Sequence, residues 1–428
     1  MANGAKSVSM RVAYWSLAAL FAMNLLNYID RFILAAVLKT VQSPDELNFG
    51  DLKAGLLSTI FFVSYALFSP VMGWLGDRMT RRYLLAVGVG IWSIATFGSA
   101  WADSYWHLVL ARSVLGIGEA TYATLAPTLI GDLFPREKRN RALSLFYVAI
   151  PIGAAIGYKF GGLFVEEPHG WRLAFQIVGW PGLAVAFGAL FLPEPKRGAS
   201  EDAGEASAVL PGSGDTYRRL LGNRSYVYNL LGMAAFTFAL GGLQWWTPSF
   251  LDRNRGIPLK DADHWLGITI VISGIVGTLA GAWIADRLAR RISGAYFWLS
   301  GVGMFLSVPF IALALAPVPP AVIYSCIVIG LTLAFLNYGP TNSIIVNVTI
   351  PNIRAAAFAV NTFAIHLLGD IPSPWAMGAI SDVTQDLFWG MVITLPALAL
   401  SGLFFCLGAP HLEADQEAVT RQLRAGAV

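Results

Sequence analysis

Charged side chains are scarce in this sequence of 428 residues, because Asp, Glu, Lys and Arg together make up only 13% of it. Soluble globular proteins carry about 25%, so the chain has too few charges to cover a water-exposed surface. Hydrophobic residues make up 56%, and the mean hydropathy is +0.60. This balance indicates a protein that crosses a lipid bilayer several times.

Cysteine and a strong excess of one charge are also lacking. The two cysteines, Cys326 and Cys406, lie in apolar runs without a neighbouring histidine, so they offer no metal site. The net charge is +3, and no dense basic patch with interleaved aromatic residues is present, which argues against nucleic acid as a partner. We expect neither a metal nor a cofactor.

The sequence consists mainly of long apolar segments. Segments of about 20 residues, the length needed to cross a hydrocarbon layer ~30 Å thick, occur twelve times. They lie near 12–39, 54–74, 83–102, 106–133, 141–165, 172–193, 225–250, 265–285, 294–316, 319–348, 355–380 and 386–409. The sequence therefore predicts an all-α membrane protein with twelve transmembrane helices.

One change of composition divides these spans into two groups of six. Residues 194–224 are rich in Gly, Ser, Glu and Asp and cannot bury themselves in a core. We predict an N-terminal six-helix bundle at 1–193, a cytoplasmic linker at 194–224, a C-terminal bundle at 225–410 and a cytoplasmic tail at 411–428.

The basic residues predict the orientation. Of the 29 Lys and Arg residues, twenty fall in segments on the side of the N-terminus and five on the opposite side. Cytoplasmic loops carry such an excess, so we expect both termini to be cytoplasmic. The remaining four, Arg31, Lys39, Arg112 and Lys159, lie in or at the ends of spans.

An internal repeat relates the two halves. Residues 73–82 read GWLGDRMTRR after the second span, and residues 282–291 read AWIADRLARR after the eighth. We predict that this loop forms a gating latch, in which the carboxylate of the aspartate caps a helix or accepts from an arginine. The candidate gating residues are Asp77, Arg78, Arg81, Asp286 and Arg287. The simpler alternative is that these bases only set the topology.

Charged residues inside the spans are the main functional candidates. In the first span, Asn24, Asn27, Tyr28 and Arg31 share one helical face, with Asp30 at its border. Charge at bilayer depth is costly unless it faces a partner or water, so this face lines something polar.

The fourth span carries a second charged pair. Arg112 and Glu119 are seven residues apart, hence on one face and about 10 Å apart along the axis, and Tyr122 follows three residues later. We expect Asp30 and Glu119 to bind protons, and Arg31, Arg112, Asn27 and Tyr122 to contact a substrate. The alternative is a permanent buried ion pair that fixes helix register.

The eleventh span has a polar face of its own. Thr362, His366 and Asp370 recur every four residues, and histidine is the side chain that changes charge near neutral pH. His366 and Asp370 either contribute to a substrate site or form a hydrogen-bonded pair beside the break expected at Pro372. An intramembrane aspartyl protease is rejected, because the motif around Asp370 lacks its second glycine and a protease has no reason to duplicate six spans.

Two further sets complete the candidates. Tyr338 and Thr341 of the tenth span are expected to line a substrate cavity together with the residues of the first and fourth spans. In the fifth span, a stripe of Gly153, Gly157 and Gly161 predicts close helix packing. Lys159 lies between these glycines and points either into the cavity or outward to the membrane surface.

Several motifs resemble those of the major facilitator superfamily. GWLGDRMTRR resembles its signature loop, with Thr80 where the family usually has Gly. The fourth-span run 112–120 and the fifth-span run 153–162 resemble its second and third motifs, although antiporters usually have Pro where Tyr158 stands. NYIDRFILA (27–35), GIGEATYATLAPTLIGDLFP (116–135) and HLLGDIPSP (366–374) resemble the Spinster branch.

The resemblance implies a function. Two pseudo-symmetric six-helix bundles would work by alternating access, with spans one and four adjacent and their charges able to meet. The Spinster branch is associated with export of lysophospholipids and sphingosine phosphate. We therefore expect a transporter, not an enzyme, that moves an amphipathic lipid with proton coupling, as a monomer in a bacterial inner membrane. The alternatives are a proton-linked carrier of a water-soluble drug or organic anion, and an uncoupled lipid facilitator or sensor.

Overall fold

The structure is a computed structural model that describes residues 9–195, 213–350 and 353–425. Within these ranges the chain is almost entirely helical and contains no β-strand. Nine helical segments of the described residues are long and apolar enough to cross a membrane by length and composition alone. The predicted all-α fold is therefore confirmed.

The six predicted spans of the first half are formed by seven helices. Ser9 caps the first of them, because its hydroxyl accepts a hydrogen bond from the backbone N–H of Val12, as helix N-caps commonly do. Ser104 caps the fourth in the same way. These helices are α1 (Met10–Gln42), α2 (Asp51–Arg78), α3 (Arg81–Ser99), α4 (Tyr105–Leu133), α5 (Arg136–Tyr147), α6 (Ala149–Gly162) and α7 (Gly170–Ala189).

The second half contains the other six predicted spans and two shorter helices outside them. Its α-helices are α8 (Ser213–Gly222), α9 (Arg224–Arg255), α10 (Leu259–Ala289), α11 (Ala295–Leu315), α12 (Pro320–Phe335), α13 (Tyr338–Asn347), α14 (Arg354–Ile365), α15 (Pro372–Thr384), α16 (Leu387–Val392), α17 (Thr394–Gly408) and α18 (Leu412–Ala425). A π-helical turn, His366–Asp370, joins α14 to α15, and a 3₁₀ turn, Ala409–His411, precedes α18.

Several predicted single spans are broken in the structure. The fifth consists of α5 and α6, and the side-chain amide of Asn24 on α1 donates to the carbonyl of Phe146 near their junction at 3.0 Å. The eleventh consists of α14, the π-helical turn and α15, with a break just before Pro372, as expected for a residue that has no N–H to donate. At the break in the fifth span, a partner outside the span thus satisfies a backbone carbonyl.

The linker and the tail contain more structure than their composition suggested. Residues 196–212 of the predicted linker lie outside the described residues, but Ser213–Gly222 form α8. In the predicted tail, α18 packs through the buried side chain of Leu412. Asp415 accepts the N–H of Ser225 at 2.9 Å, in the first turn of α9. A carboxylate is favoured at that position by the unpaired N–H groups of a helix start.

Contacts divide the chain into two compact units. One contains Met1–Ser207 and Pro258–Gly267, and the other contains Ala208–Ile257 and Ile268–Val428. Helix α10 therefore contributes its first residues to the first unit and the rest to the second. The exact domain boundaries inferred from the sequence stay a prediction.

Within the first unit, α6 packs closely on α1 through glycines. A Cβ atom at Gly153 would lie 2.7 Å from the Cβ of Tyr28, and one at Gly161 would lie 2.5 Å from the Cβ of Ala36. Real Cβ atoms essentially never approach so closely, so these positions tolerate no side chain. The predicted small-residue stripe is confirmed.

Within the second unit, α9 is the central helix. Gly232 on α9 faces the ring of Phe405 on α17, and Ser401 donates to the carbonyl of Gly232 at 2.7 Å. On another side, the indole N–H of Trp246 donates to the carbonyl of Pro374 at 3.0 Å. Each contact ties α9 to a different span of the same unit.

We predict that Gly153→Ala lowers the free energy of unfolding by about 1–3 kcal/mol, because the added methyl group overpacks the α1–α6 contact. The measurement is the unfolding midpoint of the purified protein in detergent. Gly188→Ala in α7 is the matched control, since a Cβ atom there meets nothing within 4 Å. Equal midpoints for the two variants would contradict the packing argument.

Candidate functional site

The charges predicted in the first and fourth spans meet in the first unit. Nη2 of Arg31 on α1 lies 2.5 Å from Oε2 of Glu119 on α4. The side chain of Glu119 is 1% exposed and that of Arg31 is 18% exposed. The pair is thus a close, charge-assisted hydrogen bond that is largely removed from solvent.

Arg112 and Asp30 complete what we call the charge cluster, which consists of Asp30, Arg31, Arg112 and Glu119. Arg112 is 2% exposed, and its Nε and Nη1 atoms have no hydrogen-bond acceptor among the described residues. Asp30 is also 2% exposed and has Glu119, Arg112 and Thr96 of α3 as its electrostatic neighbours. Buried polar groups are normally hydrogen-bonded, so the unused donors of Arg112 indicate a place for a ligand or water.

Aromatic side chains of α2 surround the two guanidinium groups. The Cζ atom of Arg31 lies 5.0 Å from the ring centre of Phe61, and that of Arg112 lies 4.8 Å from the same ring. Phe62 and Tyr65 lie 5.7 and 5.9 Å from Arg31. Phe61 thus contacts both cations, and such contacts attract a desolvated cation to a ring face.

Sequence reasoning missed these aromatic residues. Phe61, Phe62 and Tyr65 are neighbours on the second span, but aromatic residues at helical spacing in a membrane segment are also typical of lipid-facing surfaces. Their role depends on a contact with α1 and α4 that no local pattern indicates.

The other candidates on α1 and α4 differ in how their polar atoms are used. Asn27 is buried, and its Nδ2 has no acceptor among the described residues. The hydroxyl of Tyr122 donates to the carbonyl of Leu20 at 2.6 Å, and its ring packs edge-on against Trp92. Asn27 therefore retains a free donor, whereas the Tyr122 hydroxyl serves the fold. Substrate contact by either residue stays a prediction.

In the second unit, His366 and Asp370 are brought together by the π-helical turn. Nδ1 of His366 lies 2.6 Å from Oδ2 of Asp370. The turn packs closely on α9, because a Cβ atom at Gly241 would lie 2.8 Å from Oδ1 of Asp370. Single π-helical turns inside helices are frequent at functional sites. Both sequence interpretations of this pair therefore remain open.

The two candidates of the tenth span lie on α13. Tyr338 stacks on Phe335 with ring centres 5.4 Å apart. The hydroxyl of Thr341 donates to the carbonyl of Asn337 at 2.8 Å. Their predicted contact with a substrate is not tested by this geometry. Lys159 of α6 is exposed.

The repeated loop motif has the same local geometry in both halves. Arg78 lies over the ring of Trp74 at 4.2 Å, and Arg287 lies over the ring of Trp283 at 4.1 Å. The hydroxyl of Tyr296 donates to Asp286 at 3.4 Å. The side chain of Asp77 lies outside the described part of the structure, so its predicted latch role stays a prediction.

Arg81 is a buried charged residue of the first loop motif. Its Nη1 lies 2.6 Å from Asp132 at the end of α4, and its Nε lies 2.9 Å from Glu194 after α7. Glu194 also accepts the backbone N–H of Arg82 at 3.1 Å. Sequence reasoning missed both acids. Acidic residues at the ends of spans are not needed for topology, and this could have marked them as partners of an arginine.

We predict that Arg81→Gln lowers the free energy of unfolding by roughly 2–4 kcal/mol, because it leaves two partly buried carboxylates without their shared cation. Arg78→Gln, at an exposed position four residues from Trp74, serves as the control and should change the free energy by less than about 1 kcal/mol. Denaturant unfolding in detergent measures both. A similar loss in the two variants would show that Arg81 is not a structural tie.

Comparison with known proteins agrees with this geometry. The family model described as Major Facilitator Superfamily matches residues 20–374. Protein spinster homolog 3 of Danio rerio is 37% identical over 96% of this chain and 88% of its own length. Sphingosine-1-phosphate transporter SPNS2 of Danio rerio is 34% identical over 94% of this chain and 84% of its own length.

A solved structure shares the fold. It is a bacterial homolog to the human lysosomal transporter Spinster, in an inward-facing and unoccupied conformation. The match has a TM-score of 0.83 and 23% sequence identity, and it covers 97% of this chain and 99% of the other.

The twelve spans, the duplicated halves and the charges inside the spans define a multi-pass membrane transporter rather than an enzyme. The chain belongs to the major facilitator superfamily and, within it, to the Spinster branch. The fold and the family predicted from the sequence motifs are confirmed.

Proposed function

We propose that this transporter moves an amphipathic lipid with an anionic headgroup, in a cycle coupled to protons. The observation that carries the proposal is the buried ion pair between Arg31 and Glu119, next to an arginine, Arg112, with unused donors. The substrate class is supported by the name of the relative, a sphingosine-1-phosphate transporter.

The ion pair supports a direct link between proton and substrate. When a proton neutralises Glu119, Arg31 loses its charged acceptor while Arg112 remains close by, across the ring of Phe61. Two desolvated guanidinium groups with free donors match a phosphate, whose oxygens accept from both. Anion binding and protonation of Glu119 therefore favour each other, and this coupling is reciprocal.

Asp30 is proposed as the second proton-binding carboxyl group. It lies beside Glu119 and Arg112 in the charge cluster, so its charge state alters the balance between the acids and the two arginines. With Asp30 and Glu119 both neutral, the cluster carries two uncompensated positive charges, which favours an anionic headgroup.

An amphipathic substrate suits the aromatic surroundings of this cluster. Phe61 and Phe62 place apolar surface directly beside the guanidinium groups, where the first carbons of a lipid tail would follow a bound phosphate. A small hydrophilic anion would gain nothing from these rings. This is the observation that favours a lipid over the alternative cargo, a water-soluble drug or organic anion.

The remaining predicted residues take supporting roles in this proposal. Asn27, Tyr122, Tyr338 and Thr341 contact the substrate, and the His366–Asp370 pair supplies a second polar site in the other unit. The loop residues Asp77, Arg78, Arg81, Asp286 and Arg287 act in gating. The two units exchange access by rocking, as a monomer with cytoplasmic termini in a bacterial inner membrane.

The test is uptake of a labelled lysophospholipid by liposomes that contain the purified protein, with and without a pH jump. We expect Glu119→Gln and Asp30→Asn to bind the lipid but to transport it without dependence on the pH gradient. Asp103→Asn, an acid in an exposed loop, is the control and should respond to pH as the parent does. If both cluster variants respond like the parent, proton coupling through these acids is wrong.

The same liposomes test the anion site. Arg112→Gln removes a charged donor, and we expect its apparent affinity for the lysophospholipid to fall about 10- to 100-fold, as is typical of hydrogen bonds to charged groups. Transport of the parent that persists without any pH response would support an uncoupled facilitator instead.

A further inference from the structure

Two cations of the charge cluster lie close enough to repel each other. Arg31 and Arg112 are electrostatic neighbours, and like charges repel more strongly where water is largely excluded. Glu119 forms its hydrogen bond with Arg31, while Nε and Nη1 of Arg112 have no acceptor among the described residues. The position of the Arg112 guanidinium group beside that of Arg31 therefore depends on other contacts.

The ring of Phe61 supplies such a contact to both cations. Its centre lies 4.8 Å from Cζ of Arg112 and 5.0 Å from Cζ of Arg31. Phe61 is 0% exposed, and the attraction between a cation and a ring is strongest where the cation is desolvated. Arg31 also lies 4.8 Å from the ring centre of Tyr28, whereas Phe61 is the ring that Arg112 contacts. Arg112 thus depends on Phe61 more than Arg31 does.

The contact between α2 and α4 fixes the position of this ring. A Cβ atom at Gly116 would lie 2.5 Å from the carbonyl oxygen of Phe61, so the two helices meet almost backbone to backbone. Gly116 lies one turn after Arg112, on the same face of α4. On α2, the ring of Phe62 packs edge-on against Phe61, with ring centres 4.9 Å apart. The ring is therefore already ordered, and little further side-chain entropy is lost when a ligand binds.

We propose that Phe61 is a positioning residue of the anion site. Its ring offsets the repulsion between Arg31 and Arg112 and holds the two guanidinium groups together while no anion is bound. A guanidinium group on a ring face keeps the N–H groups at its edge free to donate, so both arginines present donors to one phosphate. Phe61 acts only through these two arginines. The assignment rests on the proposed function, since the anion is the headgroup of the proposed lipid.

Fluorinated phenylalanines test this assignment. Ring fluorines preserve the shape of the side chain but withdraw the negative charge of the ring face, on which the attraction of a cation depends. Phe61 is replaced by phenylalanine with one, two or three ring fluorines. We expect the Kd for lysophosphatidic acid, measured in detergent at fixed pH and salt, to rise with each fluorine, by about tenfold in total. The same Kd across the series, in a protein that binds the lipid, would overturn the assignment.

Phe405 of α17 is the matched control for fluorination. It is equally buried, at 0% exposure, and its ring packs on that of Phe297. The same fluorinated residues at this position should change the Kd by less than about twofold, as expected for a distant site that shares no partner with the arginines. A rise as large as that at Phe61 would show that fluorine acts through packing, which would contradict the assignment.

A double-mutant cycle tests whether Phe61 acts through Arg112. In Arg112→Gln, the ring of Phe61 retains only its contact with Arg31. Three ring fluorines should then raise the Kd about threefold, which is half of the tenfold effect on a logarithmic scale. A full tenfold rise in this background would contradict a role through Arg112.

A readout without lipid separates this assignment from the proposed function. The unfolding midpoint of the ligand-free protein should fall with each fluorine at Phe61, by about 2–4 °C in total, and stay unchanged in the Phe405 series. A parent protein that does not bind lysophosphatidic acid would contradict the proposed function, and the midpoints would then decide on Phe61 alone. Equal midpoints across the Phe61 series would overturn its role.

Discussion

The ion pair between Arg31 and Glu119 is the interaction on which the functional site depends. It joins α1 to α4 where Glu119 is 1% exposed and Arg31 is 18% exposed, so each charge depends on the other for most of its compensation. Neutralising Glu119 leaves Arg31 without its charged acceptor, which favours the binding of another anion by Arg31. In the proposed cycle, this constraint links protonation of Glu119 to the binding of an anionic substrate by Arg31.

Close glycine contacts position the helix that carries Asp30 and Arg31. Gly153 and Gly161 of α6 bring the helix against α1, which carries Asp30 and Arg31, and Gly162 brings the same helix against the start of α10. One face of α6 therefore supports the charge cluster, and another contacts a segment from the second repeat. Contacts of this kind have few intermediate arrangements, because a packed interface either fits or separates.

Much of this fold was readable from the sequence. Span length, apolar composition and the repeated loop motif predicted twelve helices in two halves. Each of these features can be read from a short stretch of sequence, without knowledge of long-range contacts. The charged residues of α1 and α4 were also predicted to form a site, because charged side chains are rare inside apolar spans. The partners of Arg81, the rings around Arg31 and the docking of α18 were missed, because each depends on contacts between residues far apart in sequence. The breaks inside spans were missed where no proline marks them, as at Val148 between α5 and α6.

The most direct measurement of the central claim is the number of protons exchanged when lipid binds. Lysophospholipid is added to the detergent-solubilised protein in weakly buffered solution, and a pH-sensitive dye reports the change. The account predicts that the parent takes up as many as one proton per bound lipid, because the phosphate replaces Glu119 as the acceptor of Arg31 and Glu119 then binds a proton. Glu119→Gln should lose that uptake. Lipid binding by the parent without proton uptake, or the same uptake in the variant, would contradict it.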